Sequence, residues 1–561
     1  MSGSPQAVHE RALAAERGGD RAQALAIVEQ GLADHPRSAP LFDSAGSLAL
    51  RAGDAALAVD RFAQAAKLDP KTRDFTLNQA IALGALERHR AALELVRPLE
   101  RELAANPRYW SIRANAARQA GESADAAASY ERCLALDPRH AKALHGRARA
   151  ALERGENDAP ARFDRALASN TGDGDLWLGK AQALEVAGDM AGARRIADQL
   201  VAQAPGWLEA LRVAAQMRLA AGETDFTAPY REAAAARPDD PNIPSAHIAV
   251  LASVERAAEA ADIAAEARRR FPEIAHFGLA EAAHAGSAGD DERAETIFAA
   301  LALDTTERAL MEARHRLRRG EIERAETLLE KVIADPTMRH SGYALLGVVW
   351  RLTGDDRAHW LHGQDGLVRQ IALQDGDRVL SRAIPAFDAL HDRSSHPLGQ
   401  SLRGGTQTRH ALFQRHEAIY GELHRAILAT LEAYRDALPP ADGAHPLLAQ
   451  RDAPWTVAGS WSVRLEGGGD RHASHIHPEG VVSSALHLRV PESSGTDEAG
   501  KEGWLELGRP PADLRLELGP VATIRPQPGQ LVLFPSTLYH GTTPFAGGRR
   551  MTVAFDVVPV P

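Results

Sequence analysis

Apolar residues along this chain follow two rhythms, and one gives way to the other near residue 365. Up to that point, stretches rich in Ala, Leu, Arg and Glu alternate with turns, and prolines close them at a regular beat. Pro36, Pro70 and Pro138 stand 34 and 68 residues apart, and Pro205, Pro238 and Pro272 keep near the same spacing. Small and large positions recur inside the units: Phe42, Ala45, Gly46, Ala58, Phe62 and Ala65 before Pro70, then Trp110, Ala126, Tyr130 and Cys133 before Pro138, then Trp177, Ala181 and Ala193 before Pro205. The pattern predicts paired helices, in which Ala or Gly lets two backbones approach, an aromatic ring fills the gap, and Pro ends the second helix. Each pair leaves an apolar face that only a neighbour covers, so the units must stack. Trp110, Trp177 and Tyr130 therefore read as packing residues.

Beyond Trp350 and Trp360 the beat stops. Arg409 through Ala437 predicts one amphipathic helix, with Leu412, Ile419, Leu423, Ile427, Leu431 and Tyr434 at helical spacing and Pro439-Pro440 ending it. Ahead of it, Gln400 through Thr408 is a polar glycine loop. From Trp455 the period becomes two: Trp461–Leu465, Ser484–Val490, Leu531–Phe534 and Met551–Val557 predict short strands, with Gly467-Gly468-Gly469, Pro491 and Pro528-Gly529 as breaks. Short strands with Gly/Pro turns indicate a sandwich or barrel.

Composition narrows the classes. The 561 residues exceed one compact domain, and a net charge of −10 with no Lys/Arg block gives no reason to expect a nucleic-acid or anionic-membrane partner. No signal-peptide core or membrane-length apolar run is read, so a soluble cytoplasmic protein is expected. Cys133 is the single cysteine, which rules out an intrachain disulfide and disfavours a thiolate metal site.

Three features of the strand region carry chemistry. His475-Ile476-His477-Pro478 precedes one strand, His540 follows another, and Arg550-Met551-Thr552 opens the last. Two histidines in an H-x-H pair on a strand edge face the same side, and a later histidine completes such a face if the strands close on themselves. Non-haem Fe(II) sites use imidazoles, usually with one carboxylate, on one face of the metal. Arg550 suits a carboxylate as a bidentate guanidinium, Thr552 lies on the same strand face, and Arg549 lies on the opposite one.

The 34-residue units resemble tetratricopeptide repeats. The C-terminal third resembles the 2-oxoglutarate/Fe(II) oxygenases that follow such arrays in bacterial proteins. The resembling text is Gln400–Thr408, Gly459–Val463, His475–Ser484, Gly529–His540 and Arg550–Pro559. Together the resemblances imply a multidomain α + β chain. Residues 1–365 would form an all-α solenoid of roughly ten hairpins. Residues 366–561 would form a double-stranded β-helix, or jelly roll, with flanking helices: 366–445 as loop and helical entry, 446–561 as the core. The two parts are expected to be separable at that junction. The implied activity is an Fe(II)- and 2-oxoglutarate-dependent dioxygenase that hydroxylates a protein or peptide captured by the repeats, with O2 as co-substrate.

The chemistry of the side chains favours His475, His477 and His540 for the metal and Arg550 with Thr552 for 2-oxoglutarate, with His487 facing the co-substrate. Gln400, Arg403, Thr406 and Glu479 are candidates to line the cleft. Position 477 departs from the usual H-x-D or H-x-E pattern, which leaves three ligand sets open. One is all-histidine. Another shifts to His477-Pro478-Glu479 with His540. The third uses His475 and His540 alone, as in aspartyl/asparaginyl hydroxylases, which also have proline at the position of Pro478. Competing readings are a scaffold with a degenerate strand domain, and a cupin-type metal enzyme of another reaction.

Overall fold

The computed structural model describes residues 4–409, 411–491, 494 and 501–560. The chain is helical up to Thr353 and mixes helices with antiparallel strands from Arg369 on, an α + β multidomain fold. Among the described residues, twenty α-helices from Pro5–Arg17 to Ile322–Ala334 make ten consecutive hairpins, and the helix Arg339–Thr353 follows them. Pro36, Pro70, Pro138, Pro205, Pro238 and Pro272 each stand two residues beyond the end of a second helix.

Close approach explains the small positions. A Cβ added at Gly46, Gly146 or Gly179 would lie 2.8, 2.2 or 2.3 Å from the rings of Phe62, Tyr130 and Phe163. Trp110 and Tyr130 are buried, and Trp177 is half-buried. Every hairpin turn passes through left-handed backbone, and eight of the ten use glycine there. The exceptions are Glu87 (φ 59°) and Glu255 (φ 62°).

The chain forms two compact units, Met1–Ala183 and Leu184–Pro561, so the packing boundary falls inside the helical array. The compositional change near residue 365 instead marks where helices give way to strands. Within the second unit, Leu310, Leu317, Leu345 and Trp350 of the last hairpin and terminal helix share one hydrophobic cluster with Leu361 of the turn that follows and with Leu514 and Tyr539 of the strand region, and Ile476 packs against it.

Among the described residues, eleven strands follow: β1 (Arg369–Ala372), β2 (Leu402–Arg403), β3 (Thr406–Gln407), β4 (Trp455–Leu465), β5 (Arg471–His472), β6 (Val482–Arg489), β7 (Leu505–Leu507), β8 (Ala522–Ile524), β9 (Gln530–Pro535), β10 (His540–Thr542) and β11 (Arg550–Pro559). They make a six-stranded sheet in the order β1-β9-β6-β11-β4-β3, a three-stranded sheet β10-β7-β8, and the pair β2-β5. Helices Gly376–His391 and Ala418–Asp436 cover one face of the large sheet, burying Met551, Val553, Phe555 and Val557 with Leu423, Ile427 and Phe387.

Two elements differ from expectation. The glycine loop folds into the short strands β2 and β3, turned by Gly404 and Gly405 at φ 85° and 73°. The helix expected from Arg409 begins at Ala418. Before it, Ala411 bridges Ser460 of β4 and the Phe413 N–H donates to Ser460 Oγ, so this backbone is committed to the sheet and Leu412–Gln414 makes only a 3-10 turn.

Candidate active site

Strand parity builds the site. Along β11 the odd-numbered apolar residues face the helices, while Arg550, Thr552, Ala554 and Asp556 face the opposite way into a cleft of about 1550 Å³. Trp461 and Val463 of the adjacent β4 line the same cleft. Across it, His475 and His540 are opposed in an antiparallel bridge: the His475 N–H donates to the His540 carbonyl at 3.0 Å and the His540 N–H returns the bond at 2.9 Å. Directly opposed residues carry their side chains on one face, and these two rings lie 4.3 Å apart. His477, two residues on, joins them.

The hydrogen bonds set the protonation of these rings. His475 Nδ1 lies 2.8 Å from the Ala473 carbonyl and His540 Nδ1 lies 3.1 Å from the Leu538 carbonyl. A carbonyl only accepts, so both Nδ1 atoms carry hydrogen. Burial first, then the neighbouring histidines, holds His540 well below the usual imidazole range and brings His475 down to about 3. Both rings are therefore neutral, with lone pairs at Nε2. His477 Nδ1 is 2.5 Å from Asp556 Oδ1, and its Nε2 is 3.0 Å from His475 Nε2. Ligand atoms of all three rings fall within 4.8 Å of one another. Nδ1 bound to an oxygen, with Nε2 turned toward the space the rings share, is how metal-ligating histidines are oriented, and the donor set suits Fe(II). Glu479 lines the cleft but is exposed and lies outside this cluster.

Arg550 is 2 % exposed. Its Nε donates to the Gly503 carbonyl at 3.2 Å, and among the described residues no carboxylate pairs with it. Burial alone brings its guanidinium down to about 10. A buried cation is costly without a counter-charge, and among the described residues this wall of the cleft presents one with no carboxylate beside it. Arg549 is exposed and bonds Glu466 at 3.1 Å. Thr552 lines the cleft. His487 pairs with Thr552 in register and is fully buried, with neither ring nitrogen bonded among the described residues; it lies beneath the lining rather than in it.

Gln400 and Arg403 line the cleft, and Thr406 does not. Thr406 Oγ1 bonds His391 Nδ1 at 2.9 Å on the helix-covered side, and alternation gives its neighbour Gln407 to the cleft instead. Sequence reasoning also missed Ser401, whose hydroxyl lies 3.2 Å from His475 Nε2 and from His472 Nδ1. It missed Asp556, although the alternation that placed Thr552 inward extends to it.

The far wall comes from the hairpins of the second unit: Glu255, His284, Ser287, Met311, Arg314 and Arg318 line the cleft. No local signal marks them, because nothing near them in sequence belongs to the site. Side chains hold this wall to the strand region. Arg314 donates to both Asp513 carboxylate oxygens at 2.7 and 2.8 Å, and Arg351 donates to the carbonyls of Gly508 and Gly519. Gln216 donates to the His396 carbonyl at 2.9 Å and accepts from the Leu398 N–H at 2.6 Å. Glu255 pairs with Arg403 at 2.9 Å.

Comparison with known proteins agrees with this architecture. Residues 459–556 match the family described as "Putative 2OG-Fe(II) oxygenase", and residues 113–159 and 157–206 match the tetratricopeptide repeat. Protein FlbA of Caulobacter vibrioides is 33% identical over 154 residues, 27% of this chain and 25% of FlbA, so the match spans a quarter of that relative. Among solved structures, the type IV pilus biogenesis factor PilW is 20% identical, with a TM-score of 0.34 over 37% of this chain and 96% of PilW. A tetratricopeptide repeat protein from Parabacteroides merdae is 15% identical, with a TM-score of 0.28 over 55% of this chain and 98% of its own. The chain thus carries tetratricopeptide repeats within residues 113–206 and, at residues 459–556, a domain matching the family described as "Putative 2OG-Fe(II) oxygenase".

Proposed function

We propose that this protein is an Fe(II)- and 2-oxoglutarate-dependent dioxygenase that hydroxylates a side chain of a protein or peptide. The observation that carries the reading is the convergence of three imidazoles in the same cleft as a buried arginine that has no carboxylate partner among the described residues. His475, His477 and His540 would hold the iron, and Arg550 with Thr552 would anchor the distal carboxylate of 2-oxoglutarate. Bound together, iron and 2-oxoglutarate supply the oxidising chemistry, with succinate and carbon dioxide as by-products.

The protein's own part is to bind, orient and exclude water. With Nδ1 bonded behind them, His475 and His540 would present neutral Nε2 lone pairs to the metal. The fixed guanidinium of Arg550 would set where the co-substrate's carboxylate binds. Trp461, Val463 and Leu505 line the cleft with apolar surface. Its volume, about 1550 Å³, exceeds the roughly 300–1,000 Å³ of a small-molecule pocket, which favours a polymer segment as substrate. Stacked repeats offer extended grooves for such segments.

Anaerobic titration with Fe(II) and 2-oxoglutarate tests the reading. A visible metal-to-ligand absorption band is expected, and succinate should form once oxygen is admitted. Iron binding without the band and without succinate would turn the assignment toward a cupin of another reaction.

A further inference from the structure

Three ring nitrogens contact something behind the candidate metal site, and the three are not alike. His475 and His540 rest on neutral backbone carbonyls. His477 rests on the Asp556 carboxylate. Asp556 is 17% exposed, and its ion partner among the described residues is His477, with no Lys or Arg beside it. Positive charge arriving at the metal position would therefore reach this carboxylate through the His477 ring.

We infer that Asp556 is a positioning residue that makes His477 the anionic arm of the metal site, supplying through an imidazole the charge that the usual H-x-D or H-x-E motif supplies by direct ligation. The inference rests on the Fe(II)/2-oxoglutarate reading for the identity of the metal, and it deepens that reading by choosing among ligand sets. His477, not Glu479 or solvent, takes the third protein position. The geometry requires no extra residue: β11 places Asp556 on the cleft face by parity, and its register with Gly459 and Ser483 fixes it behind the ring. A carboxylate hydrogen-bonded to Nδ1 orients a ligating imidazole and raises its basicity.

Co(II), an oxygen-stable probe with ligand-field absorption, reads the effect without turnover. Titrations compare wild type, Asp556→Asn, His477→Asp and the double variant. Asp556→Asn should weaken Co(II) binding about 10- to 100-fold. With His477→Asp the carboxylate sits at the metal itself, and the same Asp556→Asn change should then alter affinity by no more than about twofold, the limit for residues that no longer interact. An equal loss in both backgrounds, or no loss in wild type, overturns the inference. Thermal unfolding without metal checks that each variant folds; if Asp556→Asn does not, Asp556→Ser serves the same comparison. Addition of 2-oxoglutarate to Co(II)-loaded wild type tests the parent reading separately, because failure there leaves the metal affinities interpretable.

Discussion

His475 and His540 exchange both of their backbone hydrogen bonds, so the two candidate ligands are a strand pair before they are a metal site. The face they share is fixed by the ladder and does not depend on the side chains finding each other.

Removing either ring should therefore leave the fold and abolish the metal. His475→Ala and His540→Ala should purify as folded protein with iron at background and without succinate formation. Normal iron content in His540→Ala, read by elemental analysis, would refute the site.

Arg550 and its neighbour Arg549 should behave as opposites. Truncating a buried charge partner costs about 2–5 kcal/mol, which corresponds to roughly one and a half to three and a half orders of magnitude in affinity at about 1.4 kcal/mol each. Arg550→Ala should lose that much 2-oxoglutarate affinity while retaining iron, and Arg549→Ala should change little. The reverse order, measured by calorimetry on iron-loaded protein, would place the anion on the wrong strand face.

Buried neutral histidines give the fold an acid limit. His391 bonds Thr406 and Ser462, and burial holds it at about 3, below its ordinary value of 6.5. The unfolded chain takes up a proton as pH falls through 6.5 while the folded chain does not until about 3. Stability from this residue is thus complete above 6.5 and falls progressively between 6.5 and 3. A tenfold change in proton affinity is about 1.4 kcal/mol, so the effect is on the order of a few kcal/mol. Denaturant titrations from pH 7 to 4 should show a shallower decline for His391→Gln than for wild type; identical slopes would discount the burial.

The place where the chain is cut should matter more than the change in composition suggests. Leu514, Tyr539 and Ile476 pack with the helices of residues 306–353, and Ile476 and Tyr539 adjoin the candidate ligands. A chain beginning at Gly174 should unfold cooperatively and bind metal. One beginning at residue 366 should expose that apolar surface and lose both. Metal binding by the shorter chain would show that the strand region holds its own site.

In the first unit, the ring of Tyr130 occupies the space where Gly146 lacks a side chain. Gly146→Ala should overpack the pair and cost about 1–3 kcal/mol. A thermal scan of the variant, with metal affinity unchanged, checks it.

What could be read in the sequence was what repeats or alternates locally. The proline beat located the hairpins, and period two along β11 separated Arg550 and Thr552 from Met551 and Val553. Thr406 was misplaced because a two-residue strand is too short to show its parity. The start of the helix at Ala418 was missed because the competing bond, from Phe413 to Ser460, is made to a strand far along the chain. The hairpin wall of the cleft was invisible for the same reason.

Glu255 shows a different kind of compromise. Eight hairpin turns give their left-handed position to glycine, and this one holds a glutamate there at φ 62°. The conformation costs an L-residue about 1–2 kcal/mol, and in exchange a carboxylate reaches Arg403, beside the Ser401 that touches His475. Glu255→Gly should raise the melting temperature while freeing Arg403 and loosening the loop that holds Ser401 against His475. Selection for thermal robustness alone would accept that change, and selection for a fixed cleft wall would reject it.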